Sequence, residues 1–198
     1  MSIRGLLLCG GASVRFGRNK LLEPVGAQSE PMAVACARPL VGAVQRVLAV
    51  TRTGEREVRV LLERAGCEVM ETDRSRDGLG ASLAAGIAAT ADASGWIVTL
   101  ADMPFIRRET VVAVREALEA GAVIAAPMYE GVRGHPVGFG AQLRDELAAL
   151  AGDAGARSLL EAHPQLLRFV PVEDPGILRD IDRPEDLIAR SRDSRGRK

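Results

Sequence analysis

The sequence has few of the residues that hold structural metals or form covalent cross-links. Its 198 residues include three cysteines and two histidines. Cys9, Cys36 and Cys67 are an odd number and lie far apart, which fits neither a disulfide framework nor the spacing of a zinc site. We therefore expect buried, reduced thiols and no multi-histidine metal centre.

Long apolar runs and an excess of one charge are also missing. No stretch reaches the roughly 20 apolar residues that span a bilayer, and the apolar N-terminal run is too short for a signal sequence. The formal net charge is zero, which gives no indication of nucleic acid or a membrane as a partner. A cytoplasmic location, with neither of these partners, is the expectation.

Lysine is scarce as well. The 26 basic residues contain only Lys20 and Lys198 as lysines, and all others are arginines. An isolated interior lysine favours a position that needs a compact ammonium instead of a planar guanidinium. The polar, basic residues 191–198 are interpreted as a flexible tail that follows one domain of residues 1–190.

What the sequence does contain is an alternation of apolar runs and amphipathic stretches. Strands are predicted at residues 3–8, 47–51, 68–71, 96–100, 122–126 and 167–172, and helices at 55–65, 80–89, 108–120, 141–150, 156–162 and from Pro184 onward. The Gly-rich segment 132–140 predicts a hairpin or an edge ribbon. Continuous apolar strands separated by helices indicate a parallel sheet covered on both faces. The expected fold class is α/β, a single-domain, Rossmann-like three-layer sandwich with a mostly parallel sheet.

Ligands of open parallel sheets bind at the carboxyl ends of the strands, and a glycine-rich loop follows the first predicted strand. It contains Gly10, Gly11, Ser13, Arg15 and Lys20. Adjacent glycines let backbone N–H groups approach phosphate oxygens, and the two cations suit a triphosphate. The loop matches neither a Walker A nor a dinucleotide-binding pattern. An ordinary flexible turn is the alternative.

Candidate metal ligands occur in two places. Asp102 follows the strand predicted at 96–100, and Asp180 and Asp182 lie before the last helix. Mg²⁺ usually takes one or two carboxylates together with phosphate oxygens and water. If residues 177–182 are extended, the second pair of carboxylates shares one face. The alternatives are a turn or cap role for Asp102 and a helix N-cap role for Asp182.

Together, these motifs resemble those of the MobA-like NTP transferases. The pattern Gly-Gly-x-Ser-x-Arg-Phe-Gly-x-x-Lys, then Asp-Met-Pro, then Asp-Ile-Asp-x-Pro-Glu-Asp occurs in the family's order. The resemblance implies a nucleotidyltransferase fold of the GT-A-like type and Mg²⁺-dependent chemistry. It implies catalytic roles for Arg15, Lys20 and Asp102, with Asp182 or Asp180 as a further metal ligand. The nucleotide-binding residues implied are Leu8, Cys9, Gly10, Gly11, Ser13, Lys20, Asp77, Gly80 and Ser82.

Within that family, segments 77–83, 133–137 and 152–157 look most like those of molybdenum cofactor cytidylyltransferases. Those enzymes transfer CMP from CTP to molybdopterin and release pyrophosphate. The implied partners are an NTP, a molybdopterin-type phosphorylated acceptor, and a client molybdoenzyme or its chaperone. The acceptor site is expected at Arg133, His135 and Arg157.

Several alternatives stay open. The first turn, Cys9-Gly10-Gly11, is closer to that of guanylyltransferases, which use GTP. A cytidylyl- or uridylyltransferase acting on a sugar or polyol phosphate is a second alternative, and a non-catalytic molybdenum cofactor carrier is a third. From the residues alone, Asp77 or Ser82 can also be a helix N-cap, and His135 a structural loop residue.

Overall fold

The computed structural model describes residues 2–10 and 16–188. The strands are Ile3–Leu8 (β1), Pro24–Val25 (β2), Glu30–Pro31 (β3), Arg46–Arg52 (β4), Glu68–Thr72 (β5), Gly95–Leu100 (β6), Ile124–Tyr129 (β7), Val132–Arg133 (β8), Val137–Gly140 (β9) and Leu167–Pro171 (β10). The α-helices are Met32–Val41 (α1), Arg56–Arg64 (α2), Leu79–Ala89 (α3), Arg108–Glu119 (α4), Arg144–Ala148 (α5), Arg157–Ala162 (α6) and Pro184–Ile188 (α7). The interpretation of residues 191–198 as a tail falls outside the described residues.

The main sheet is mostly parallel, as predicted. Its strand order within the described residues is β10-β7-β9-β6-β1-β4-β5, and β8 pairs with β7. Strand β1 is parallel to both β4 and β6, and β10 is parallel to β7. Strand β9 lies between β6 and β7 and is antiparallel to both, and β8 is antiparallel to β7. The predicted α/β class is confirmed.

The two faces of the sheet carry separate hydrophobic clusters, which makes three layers. Because successive strand residues point to opposite faces, Leu7 of β1 packs in one cluster with Leu40 of α1. Its neighbour Leu6 packs in the other cluster with Ile87 of α3. Helices therefore cover both faces, and the strand ends are left to form the site. No helix in residues 2–10 and 16–188 is long and apolar enough to cross a membrane.

The prediction of an edge ribbon at 132–140 is wrong for β9. This strand is completely buried and lies inside the sheet, and only β8 forms a short hairpin with β7. The glycines of β9 have a packing role, because a Cβ at Gly138 would lie 2.9 Å from Val114 of α4. Glycines that suggested turns instead let a helix approach an interior strand closely.

Helix α1 has no counterpart among the sequence predictions. It consists largely of small residues, and it contains Pro39, which removes one backbone donor and argues against a helix. Its buried face is nevertheless helical in spacing, with Ala33, Cys36, Ala37 and Leu40 in the core. The helical spacing of these apolar residues is the sequence feature that could have predicted α1.

Candidate functional site

The carboxyl ends of β1 and β6 lie side by side. The two strands pair in register up to Leu8 and Leu100, and the backbone N–H of Ala101 donates to the carbonyl of Leu8 (3.1 Å). The chain leaves β1 into the glycine-rich loop and leaves β6 into the turn with Asp102. The topology therefore starts both predicted motifs at one edge of the sheet.

Lys20 returns to this edge at the end of the loop. Its Nζ donates to Asp102 Oδ2 (2.9 Å), to the carbonyl of Ile181 (2.9 Å) and to Asp182 Oδ1 (3.3 Å). The residue is only 7% exposed, so its charge needs partners. Three acceptors around one nitrogen match the three donors of an ammonium group. Residues from three distant parts of the sequence thus meet at one point.

Asp102 has one carboxylate oxygen beyond this ion pair. Its Oδ1 is buried and accepts no hydrogen bond within the described residues. A buried polar atom without a partner costs free energy, so this oxygen is suited to a ligand that brings positive charge or a donor. The carboxylate of Asp182 lies on the other side of Lys20 and is partly exposed. The described residues contain no cluster of three or more His, Cys, Asp or Glu side chains that could enclose a metal.

Of the two late carboxylates, Asp182 is the one that pairs with Lys20. Asp180 is exposed and acts electrostatically on His135. Helix α7 begins at Pro184, so Arg183 directly precedes it and Asp182 lies one residue before the N-cap position. Asp186 Oδ2 accepts from the backbone N–H groups of Asp182 (2.9 Å) and Arg183 (2.8 Å), which is the reaching-back half of a capping box.

The segment before Asp182 is only partly extended. Residues Pro175–Leu178 form a 3-10 turn, and extended backbone begins at Arg179. The condition of a fully extended 177–182 segment is therefore not met, because Ile177 and Leu178 belong to the 3-10 turn. Sequence reasoning also missed the Ile181 carbonyl, because a backbone acceptor leaves no mark in the residue types.

The start of the glycine-rich loop packs tightly. A Cβ at Gly10 would lie 2.9 Å from Ser82 Oγ and 3.2 Å from Ser75 Cβ, so a larger residue there would displace the Ser82 hydroxyl. Ser82 is fully buried and donates to the carbonyl of Gly78 (3.3 Å), and Leu8 and Cys9 are buried in the strand. Gly11, Ser13 and Arg15 lie outside the described residues.

A second close contact joins two of the predicted segments. The N–H of Gly80 donates to the carbonyl of Gly152 (2.8 Å). Gly78 has φ +104°, and a Cβ there would clash with the backbone of Gly152. Helix α3 begins without a side-chain cap, so neither Asp77 nor Ser82 is its N-cap and those alternatives are wrong. Asp77 is exposed.

Two of the three predicted acceptor residues line one cavity. Arg133 and Arg157 border a space of about 370 Å³ together with Leu160, Glu161 and Leu167. Arg157 Nε donates to Glu161 Oε1 (2.9 Å). Arg133 is exposed and forms no ion pair with any residue in the described part of the chain. Among residues 2–10 and 16–188, the cavity is therefore lined by one guanidinium that forms an ion pair and one that does not.

The third predicted acceptor residue, His135, is not among the residues that line this cavity, but it lies two residues after Arg133 in the sequence. Its backbone N–H donates to the carbonyl of Ile177 (3.1 Å), and its Nδ1 is buried with no partner among the described residues. Burial, and secondarily the charge of Arg133, lower the pKa of His135 to about 4, so the ring is neutral near pH 7. Because Val137 pairs with Val98, His135 precedes β9 at the end of β6 that leads to Asp102.

The cysteines are free and buried, as expected. Burial raises the pKa of the Cys9 and Cys36 thiols, and the nearby Asp102 charge raises both further. Burial also raises the pKa of Cys67 to about 11. A thiol that stays protonated is a poor nucleophile, and packing is the role that the structure gives Cys9.

Comparison with known proteins identifies the family. A model of the MobA-like NTP transferase domain matches residues 5–166. The chain is 28% identical over 194 residues to nicotine blue oxidoreductase of Paenarthrobacter nicotinovorans, covering 93% of this chain and 94% of that protein. The name of that relative denotes a redox reaction, unlike the name of the family.

Solved structures have the same fold. The Rv0371c protein of Mycobacterium tuberculosis H37Rv superposes with a TM-score of 0.84 at 25% identity, over 96% of each chain. A complex of Rv0371c with manganese gives 0.72 at 23% identity, over 87% of this chain and 89% of that one. Molybdopterin-guanine dinucleotide biosynthesis protein A of Archaeoglobus fulgidus gives 0.66 at 20% identity, over 94% and 95%.

The family match covers most of the sequence, and it includes most of β1, the glycine-rich loop and the turn with Asp102. The fold found from the strand order agrees with that of the solved structures. The chain belongs to the MobA-like NTP transferase family and is a nucleotidyltransferase.

Proposed function

We propose that this enzyme transfers CMP from CTP to a molybdopterin-type phosphorylated acceptor and releases pyrophosphate. The observation that carries the proposal is the meeting of Lys20 with Asp102 and Asp182 at the carboxyl ends of β1 and β6. A buried cation between two carboxylates, at the edge where parallel sheets bind ligands, is suited to polyphosphate chemistry.

Lys20 binds the triphosphate in this proposal. It ends the glycine-rich loop, and its ammonium is already held at one position by three acceptors. A preorganised cation stabilises the charge that develops on the α-phosphate and on the leaving pyrophosphate. Gly10 packs against Ser82, and we assign Gly11, Ser13 and Arg15, which follow it in the sequence, to phosphate contacts.

Asp102 and Asp182 are the residues that would hold a divalent cation. The buried, unpartnered Oδ1 of Asp102 fits such an ion, and so does the number of carboxylates, since Mg²⁺ needs only one or two from the protein. The manganese complex of Rv0371c supports a divalent metal in a protein of the same fold. When bound, Mg²⁺ or Mn²⁺ would orient the phosphates and neutralise part of their charge.

The acceptor is assigned to the cavity with Arg133 and Arg157. Guanidinium groups pair with phosphate oxygens through two parallel hydrogen bonds, so an anionic, phosphorylated ligand suits this lining. The attacking phosphate is already ionised and requires no general base. His135 is neutral near pH 7 because of its lowered pKa, and it can orient the acceptor through hydrogen bonds without adding charge.

The choice of CTP rests on the segments around Asp77, Gly80 and Arg157, which look most like those of molybdenum cofactor cytidylyltransferases. The contact between Gly80 and Gly152 brings two of these segments together, which supports a shared role in holding the nucleotide. GTP is the second candidate, because the first turn, Cys9-Gly10-Gly11, is closer to that of guanylyltransferases.

The proposal is tested by measuring pyrophosphate release with each of the four NTPs, with purified molybdopterin, and with Mg²⁺, Mn²⁺ or chelator. We expect release that depends on CTP, acceptor and metal together. If pyrophosphate is released with GTP and with no other NTP, the nucleotide substrate is GTP and not CTP. If release requires a sugar or polyol phosphate, the acceptor is not molybdopterin. If molybdopterin binds but no NTP gives pyrophosphate, the protein is a cofactor carrier and not a transferase.

The name of the P. nicotinovorans relative calls for one parallel assay. Oxidation of NADH and NADPH is followed at 340 nm with the same acceptor and with a quinone-type dye. We expect no turnover, since the glycine-rich loop lacks the dinucleotide pattern. Turnover there combined with no pyrophosphate release would refute the transferase proposal for this chain.

A further inference from the structure

The segment 174–182 lies along the turn that carries Asp102. At one end, the N–H of Ile181 donates to the carbonyl of Asp102 (2.8 Å). Further back, the guanidinium of Arg179 lies 4.4 Å from the ring centre of Phe105, which is a cation–π distance. The two stretches therefore run in opposite directions and touch at successive points.

The other end of the segment is anchored by Asp174. This residue is only 2% exposed. Its Oδ2 accepts from the backbone N–H of Arg107 (2.8 Å) and from Thr110 Oγ1 (2.7 Å), and its Oδ1 accepts from the N–H of Gly176 (2.9 Å). A Cβ at Gly176 would clash with the carbonyl of Phe105. One buried carboxylate thus ties the segment to the first turn of α4.

We propose that Asp174 is a positioning residue that sets Asp182 against Asp102. The inference rests on the metal site of the proposed function. Asp102 lies between β6 and α4, whereas Asp182 comes from the far end of segment 174–182. The relative position of the two carboxylates therefore depends on how that segment is attached to the start of α4. Asp174 supplies this attachment through charge-assisted hydrogen bonds, which are the stronger kind.

Metal affinity is sensitive to such attachments. Removing groups that orient metal ligands typically lowers metal affinity about 10- to 100-fold. Asp174→Asn keeps the size of the side chain but turns one acceptor oxygen into a donor. The new NH₂ group then faces either the N–H of Gly176, at the Oδ1 position, or the N–H of Arg107 and Thr110 Oγ1, at the Oδ2 position. The segment loses its anchor, and Asp182 loses its position relative to Asp102.

The test is a Mn²⁺ titration of the nucleotide-free protein, in which electron paramagnetic resonance reports free Mn²⁺. Asp174→Asn is expected to raise the Mn²⁺ Kd about 10-fold or more. The matched control is Thr90→Val, which also removes a buried hydrogen-bonding group, here one that accepts from Trp96 Nε1 (2.9 Å). Both variants should lower Tm, but the control should leave the Kd within about twofold, because its site packs on the other face of the sheet.

A Kd for Asp174→Asn that is no higher than that of Thr90→Val would overturn the proposal, because the role would then be structural only. If Asp174→Asn does not fold, Thr110→Val decides, since it removes one donor to Asp174 and leaves the carboxylate in place. A Kd above that of the Thr90→Val control supports the proposal, and an unchanged Kd overturns it.

The titration is independent of the reaction. A wild-type protein that binds Mn²⁺ but releases no pyrophosphate from any NTP would refute the proposed transfer, and the comparison of the variants would still decide the role of Asp174. A wild-type protein that binds no Mn²⁺ would overturn the inference itself, because there would be no metal site to position.

Discussion

Replacing Lys20 by arginine keeps the positive charge at the candidate site but changes its shape. The ammonium of Lys20 is nearly buried and meets three acceptors around a single nitrogen. A guanidinium is planar and spreads its donors over three nitrogens, so it cannot reach Asp102, Asp182 and the Ile181 carbonyl from one point. Lys20→Arg therefore tests whether the site needs a compact cation or only charge.

The expected size of the effect follows from the hydrogen bonds lost. A hydrogen bond to a charged group contributes about 1.5–3 kcal/mol. If Lys20→Arg loses one such bond in the transition state, kcat/KM falls about 10- to 100-fold, since about 1.4 kcal/mol corresponds to a factor of ten. The folded state should change less, because both carboxylates keep a positive partner and are themselves partly exposed.

The assay is pyrophosphate release under saturating metal, with kcat/KM for the nucleotide as the readout and Tm as the measure of stability. The matched control is Arg18→Lys, the reverse exchange at an exposed arginine that pairs with Glu23 (2.7 Å). Exposed ion pairs contribute at most about 1 kcal/mol, so the control should retain near-normal kcat/KM. A Lys20→Arg enzyme as active as the Arg18→Lys control would refute the requirement for a compact ammonium.

Three further predictions follow from the site. Asp102→Ala should abolish pyrophosphate release and Mn²⁺ binding while the far-UV circular dichroism stays native; normal turnover at high metal would contradict its assignment as a ligand. Arg133→Met should raise KM for the acceptor about 10-fold or more, which is the size expected for a lost charge-assisted hydrogen bond, and should leave KM for the nucleotide unchanged. If only KM for the nucleotide changes, Arg133 binds the nucleotide and not the acceptor. The pKa of His135 is about 4 when folded, below its usual 6.5, so the unfolded chain takes up the proton first and stability is lost as pH falls from about 6.5 toward 4. His135→Asn should flatten that part of a plot of unfolding free energy against pH, and an equally steep decline in the variant would show that another group is responsible.

Local sequence patterns were enough to predict most of the sheet and its helices. The strands Ile3–Leu8 and Gly95–Leu100 are almost entirely buried, and strands buried on both faces consist mainly of apolar residues, which is visible in the sequence. Helix α1 was missed because small residues and an interior proline hide its periodicity. The segment that contains β9 was predicted to be a hairpin or an edge ribbon, because glycine is typical both of turns and of close packing.

The residue types also determined which chemistry is available at the site. A lone interior lysine after two glycines, a carboxylate after an apolar strand and a late acidic pair are read directly from the sequence. Parallel strands bring their carboxyl ends to one edge of the sheet. Because the loop with Lys20 and the turn with Asp102 each follow a predicted strand, the sequence already indicated that both lie at that edge. The choice between Asp180 and Asp182 could not be made in this way.

Only the tertiary structure decided the contacts that join segments distant in the sequence. Asp182 pairs with Lys20, its backbone N–H donates to Asp186, and the neighbouring Ile181 N–H donates to the carbonyl of Asp102. Ser82 packs against Gly10 because the backbone at Gly10 comes so close to α3 that a Cβ there would lie 2.9 Å from Ser82 Oγ. Such contacts depend on the relative positions of whole elements, which local residue patterns do not specify, and backbone groups such as the Ile181 carbonyl are chemically identical at every residue.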